Sequence, residues 1–198
     1  MTKPYYKKIT QVLNYLAQKE GGKINYMKAL KLLYLADRLH LREYGRLITE
    51  DYLVAMEKGT LGSQARDIAI QNKYLPHVIY QHSKDKLIRL PDFMIEANDS
   101  DRDQLSETDV ECIEEVYKNL GEKTEFELVK LTHDLPEWKR WQYVIESGEK
   151  RVAVVEINDL FKNSDNLVLN KIYSQTPDEL ILSEELFLES QEHRAHIE

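Results

Sequence analysis

Apolar residues recur at helical spacing in the first part of the chain, at Ile9, Val12, Leu13, Leu16 and Ala17. Gly21-Gly22 then stops the run. Asn25 is placed to cap a second helix, from Tyr26 to Tyr44, that is apolar nearly all round: Met27, Leu30, Leu32, Leu33, Tyr34, Leu35, Ala36, Leu39 and Leu41. A helix without a clear polar face belongs at the buried centre of a helical assembly. Gly45 supplies the left-handed residue that ends it. Residues 51–58 read as a short amphipathic turn or helix, broken by Gly59-Thr60-Leu61-Gly62, and Ser63 then caps a helix over 64–73. Between 77 and 90, β-branched and aromatic residues surround a polar Ser83-Lys84-Asp85 centre, which predicts a small hairpin or two irregular strands.

Beyond the polar stretch 96–104, Ser106 with Asp109 marks a capped helix start. Val110, Ile113, Val116, Tyr117 and Leu120 follow at helical spacing up to Gly121. Thr124 with Glu127 forms a capping box for a short helix ending at His133. Pro136 suits the first turn of the next helix, with Trp138, Trp141 and Ile145 on one face. Residues 152–157 are strand-like, and a helical turn follows at 159–162. These elements predict a mainly α fold, a compact helical bundle with a small β-hairpin or minor sheet.

With 198 residues, the chain suits one domain with an appendage and can bury a core without a metal or disulfide staple. The single cysteine, Cys112, excludes an intramolecular disulfide framework and a cysteine-rich zinc module. No apolar run reaches a membrane span and no signal-peptide core is evident, so a cytoplasmic protein is expected. The net charge of −8 is uneven: residues 178–198 hold seven acids against Arg194 alone, leaving a nearly neutral body. Duplex nucleic acid, which asks for a basic face, is therefore not the expected partner.

Lys58-Gly59-Thr60-Leu61-Gly62-Ser63 precedes a helix, yet it lacks the Gly-Lys-Ser/Thr ending of a phosphate loop and follows a predicted helix rather than a strand. It reads as an interhelical turn. No two histidines stand at i, i+4 around a glutamate, and the His193/His196 pair lies on an acidic terminus unsuited to fixed metal geometry, so no metal or cofactor is expected. His40, one helical turn from Asp37, reads as a structural pair. His133, crowded by Thr132, Asp134 and Glu137, reads as a capping or network histidine, with an acid–base role as the competing assignment. Cys112 has no activating cation beside it and reads as a buried thiol.

Several separated signatures carry a family resemblance. They are Lys31-Leu32-Leu33-Tyr34, His40-Leu41, Tyr44-Gly45-Arg46 and Ala55-Met56 before Gly59, then Leu131-Thr132-His133 with Trp138-Lys139. Together they resemble the Panacea (SocA-like) antitoxin domain over residues 7–162. One departure is that Gly59-Thr60-Leu61-Gly62 stands where the family has Gly-Pro-Val, so proline's pre-set angle is missing from that turn.

The resemblance divides the chain into a helical domain over 1–162 and an acidic extension over 163–198 that is expected to be ordered in part at most. It implies an antitoxin that neutralises a cognate toxin by direct binding, not an enzyme. The alternatives are a proteolytic adaptor delivering a toxin to a Clp-type protease and a hydrolase using His133. An acidic end would complement a basic toxin. Expected partner contacts lie at the helix breaks: Tyr44, Gly45 and Arg46; Lys58, Gly59, Thr60 and Gly62; and the corner of His133 and Trp138. Tyr26 and Tyr52 are further candidate anchors, and Tyr34 belongs to the core.

Overall fold

The structure, a computed structural model, describes residues 5–195. Helix α1 (Tyr5–Lys19) buries Ile9, Val12, Leu13 and Leu16 as their spacing predicts. After the short strand β1 (Lys23–Asn25), the Asn25 side chain accepts hydrogen bonds from the Met27 and Lys28 amides and opens α2 (Tyr26–Tyr44). From Ala29 to Arg42 this helix is buried throughout, and Gly45 ends it at φ 65°. It also carries Lys31, Asp37, Arg38, His40 and Arg42 into the interior, none more than 1% exposed. Buried charges need partners, and theirs decide how the rest of the chain wraps.

The next two elements correct the sequence reading. β2 (Leu53–Met56) and β3 (Gly59–Gly62) form an antiparallel hairpin through Glu57-Lys58, where a helical turn and an interhelical break were expected. Leu53, Val54 and Ala55 are all buried, so the strand shows no alternation that would separate it from a helix. Helix α3 (Ser63–Ala69) is capped from a distance. The Gln64 and Ala65 amides donate to the Asp51 carboxylate at 2.9 and 2.7 Å, and Ser63 does not cap it.

Residues 77–86 form α4 (His77–Lys86), not a hairpin. Pro76 fixes its start, and Ile79 and Ser83, one turn apart, are its buried face. Packing against α1 and α3 overrides the β preference of Val78, Ile79 and Tyr80. Strand pairing begins only afterwards, with β4 (Leu87–Arg89) and β5 (Met94–Ala97) in the antiparallel order β1-β5-β4.

The capping boxes are formed as expected. Ser106 with Asp109 starts α5 (Glu107–Leu120), and Thr124 with Glu127 starts α6 (Glu125–His133). The helix expected after Pro136 is two short pieces, α7 (Pro136–Lys139) and α8 (Gln142–Glu146). β6 (Val152–Val154) then pairs with β2 to give the sheet β3-β2-β6. The chain continues through α9 (Ile157–Leu160), α10 (Leu167–Ile172) and α11 (Pro177–Ala195).

The segment 160–186 is fastened to α2. Arg42 donates to the Leu160 and Lys162 carbonyls and to Asn163 Oδ1, at 3.0, 3.2 and 2.6 Å. The Tyr173 hydroxyl donates to Leu35 O at 3.0 Å, and Ser183 Oγ donates to Arg42 O at 2.8 Å. A Cβ on Gly45 would stand 2.7 Å from Leu186 Cβ, so that glycine admits α11 as well as ending α2. Ile181, Leu182 and Leu188 of α11 remain exposed. Among the described residues the fold is mainly α with two three-stranded antiparallel sheets, one more than the single hairpin or minor sheet expected. Among the described residues no helix is long and apolar enough to cross a membrane.

Candidate functional site

The start of α2 forms the floor of a groove of about 730 Å³ roofed by the β2–β3 turn. Its charged lining is Lys31, Lys58, Arg66, Lys150 and Arg151, against a single acid, Glu57. Lys31 is fully buried, and its Nζ donates to Thr60 O at 2.8 Å. Burial alone lowers its pKa to about 7. The hairpin can approach this closely because Gly59 has no side chain. At φ 84°, a Cβ there would lie 3.0 Å from Lys31 Nζ and collide with Thr132 Oγ1.

Behind the hairpin, the His133 ring stacks on Trp138 with centroids 3.8 Å apart, and Trp138 Nε1 donates to Met56 O at 2.9 Å. Burial, and then the nearby Lys31 charge, hold the His133 pKa below the usual imidazole range. Thr60 Oγ1 and His133 Nε2 are buried with no hydrogen-bond partner among the described residues. The structure therefore brings Lys58, Gly59, Thr60, His133 and Trp138 together around Lys31. Of these, Lys58 is exposed and His133 partly so, while Gly59, Thr60 and Trp138 are buried. Gly62, also buried, lies against the Asp51 carboxylate that caps α3.

Tyr44, Gly45 and Arg46 lie at the other end of α2, about 20 Å from Lys31 by helical rise. Tyr44 is 39% exposed and borders a second groove of about 730 Å³, whose charged lining is Glu43, Glu111, Glu114 and Glu115 with Lys19 and Lys118. Arg46 pairs with Asp109 at 2.9 Å, and Asp109 also receives Lys8 at 2.8 Å. These cations and the Ser106 amide hold the Asp109 carboxyl below its usual range, against its burial.

His40 does not pair with Asp37, correcting the sequence expectation. Its Nδ1–H donates to Arg46 O at 2.9 Å, so Nε2 accepts from Thr108 Oγ1 at 3.0 Å. Burial drops its pKa to about 4. Asp37 accepts from the Thr49 amide at 2.8 Å and from its hydroxyl at 2.6 Å, and burial raises its carboxyl to about 7. Cys112 is buried with its Sγ facing Glu43 Oε2 at 3.6 Å. Burial and that carboxylate push the thiol well up, away from nucleophilic character.

Between the two ends lies a buried ionic network that the sequence reading missed. Arg38 Nε donates to Glu137 Oε1 at 3.0 Å, the Tyr34 hydroxyl donates to the same oxygen, and the Arg38 guanidinium covers the Tyr173 ring at 4.4 Å. The available signal was a set of cations, Lys31, Arg38 and Arg42, inside a helix otherwise apolar all round. Among the described residues no group of three or more His, Cys, Asp and Glu is placed to hold a metal ion.

No curated protein and no solved structure matches this chain. One family model does, that of the antitoxin SocA-like, Panacea domain, over residues 30–139. The match lies inside the 7–162 span suggested by the motifs. It runs from the first turns of α2 through the hairpin and both capping boxes to the end of α7. More than half of the chain falls within it, and the protein belongs to the SocA-like, Panacea-domain antitoxin family.

Proposed function

We propose that this protein is the antitoxin of a toxin–antitoxin pair and neutralises its cognate toxin by direct contact. The observation that carries the reading is the family match over residues 30–139. The contact face we assign is the Tyr44 end of α2. There an exposed tyrosine, large in area and low in entropy cost, stands beside Glu43, Glu111 and Glu115. The exposed acids of α11, among them Glu185, Glu189 and Glu192, continue the negative character. This surface suits a basic toxin, and electrostatic complementarity speeds encounter and selects partners.

The test pairs this gene with a toxic reading frame adjacent to it. Co-expression is expected to restore growth, and the two proteins are expected to co-elute as a stable complex. No rescue and no complex would overturn the reading. Rescue in which the toxin's half-life shortens only while a Clp-type protease is active would replace it with the adaptor reading.

A further inference from the structure

The groove at the start of α2 is unusual for this chain. A protein with net charge −8 gathers five cations around one concavity and leaves a single carboxylate there. One of the five, Arg66, is paired with Asp67 at 3.3 Å, whereas Lys31, Lys58, Lys150 and Arg151 make no ion pair among the described residues. Lys31 makes the point most sharply. It lines the groove, is fully buried, and donates one hydrogen bond, to Thr60 O, so two of its three N–H donors are left for another acceptor. Its ammonium pays a desolvation cost that no carboxylate offsets, which is why its affinity for a proton is depressed to about 7.

The concavity falls within the usual size range of small-molecule sites, roughly 300–1,000 Å³. Beside the cations it has an apolar wall that includes Tyr26, Met27, Leu30 and Ile145. Several cations lining one concavity suit a multiply charged oxyanion better than a lone carboxylate. The wall suits a planar or apolar body attached to it.

We propose that this groove binds a small phosphorylated molecule of the nucleotide class, with its phosphates held by Lys31, Lys58, Arg66, Lys150 and Arg151 and its ring body against the apolar wall. The site is independent of toxin contact, which is assigned to the other end of α2, and its test needs no toxin.

The experiment is isothermal titration calorimetry on the full chain with inorganic pyrophosphate and with ATP. Both are expected to bind, ATP more tightly because its base reaches the wall. At pH 8 binding takes up a proton as Lys31 recharges, so the heat varies with the buffer's ionisation enthalpy. Lys31→Met is expected to weaken both by about tenfold or more, the loss of one charge-assisted contact. The exposed pair Lys58→Ser/Arg151→Ser weakens both severalfold without disturbing the fold, and decides the matter if Lys31→Met does not fold. Lys118→Ser, in the other groove, leaves binding unchanged. No heat from either probe at millimolar concentration would overturn the proposal, as would affinities equal in wild type and variants. Tighter binding of a polyglutamate peptide than of ATP would overturn it too, turning the groove into a protein-docking surface.

Discussion

The two ends of α2 are built from similar material to opposite effect. At its start, a buried lysine and four surface cations surround a groove under the hairpin turn, with one glutamate among them. At its far end, glutamates predominate around Tyr44, and the cations there are already paired, Lys19 with Glu114, Lys118 with Glu115, and Arg46 and Lys8 with Asp109. His40 and Asp37 at that end have their hydrogen bonds made within the chain. Lys31 does not. Satisfied buried polar groups hold a structure in place, whereas an under-partnered one retains binding capacity. One end is a finished support for an acidic surface, and the other is an anion cradle.

The largest effect comes from what both ends share. Glu137→Ala strands the buried Arg38 guanidinium and is expected to cost about 3–5 kcal/mol in denaturant unfolding. A loss below about 1 kcal/mol would mean that the network between the ends is not structural.

The ends should then separate by pH. Lys31 has its pKa lowered from 10.5 to about 7 in the folded chain, so between those values the unfolded chain binds more protons and stability rises with pH. Lys31→Met is expected to flatten that rise. His40, lowered from 6.5 to about 4, withdraws stability as pH falls through that window. Asp37, raised from 3.8 to about 7, gains a proton in the folded chain over the same range and offsets it, so the far end adds little net slope there. Denaturation midpoints from pH 7 to 10 for the wild type and Lys31→Met would check the Lys31 window. An unchanged slope above pH 7 in the variant would contradict the assignment to Lys31.

Gly45→Ala probes the far end alone. It places a side chain at φ 65° and into Leu186 and the Ser183 carbonyl, which predicts a loss of about 1–3 kcal/mol and a faster-exchanging α11 by hydrogen exchange. Uniform destabilisation with α11 protection intact would show that the helix does not depend on that contact.

His133→Ala has the smallest effect on stability, about 0.5–1.5 kcal/mol from the lost stack on Trp138. Growth rescue should survive it. Loss of rescue with folding and toxin binding intact would instead support chemistry at His133.

Much of the fold was legible because its signals are local. Asn25, Gly45, Ser106 with Asp109 and Thr124 with Glu127 act on amides within a few residues, and each does what its type and spacing predict. The misreadings arose where partners are distant. Asp51 caps α3 from more than ten residues upstream, and β2 is recognisable as a strand only through β3 and β6 on either side. The β-rich residues of α4 are helical because they pack on α1. The candidate site was half legible: Lys58, Gly59 and His133 were read from their positions at breaks, whereas Lys31, at the centre of the groove, looked like one polar residue in a leucine-rich helix. That its ammonium sits beneath the Thr60 carbonyl is a tertiary fact, fixed by a hairpin that the sequence did not announce.

The most direct measurement reverses the charge at each end in turn and asks whether the toxin still binds. Glu111→Lys/Glu115→Lys is expected to abolish growth rescue and the co-eluting complex, while Lys58→Glu/Arg151→Glu leaves both intact. Loss of the complex only with the Lys58/Arg151 pair would contradict the account and place the toxin on the basic groove.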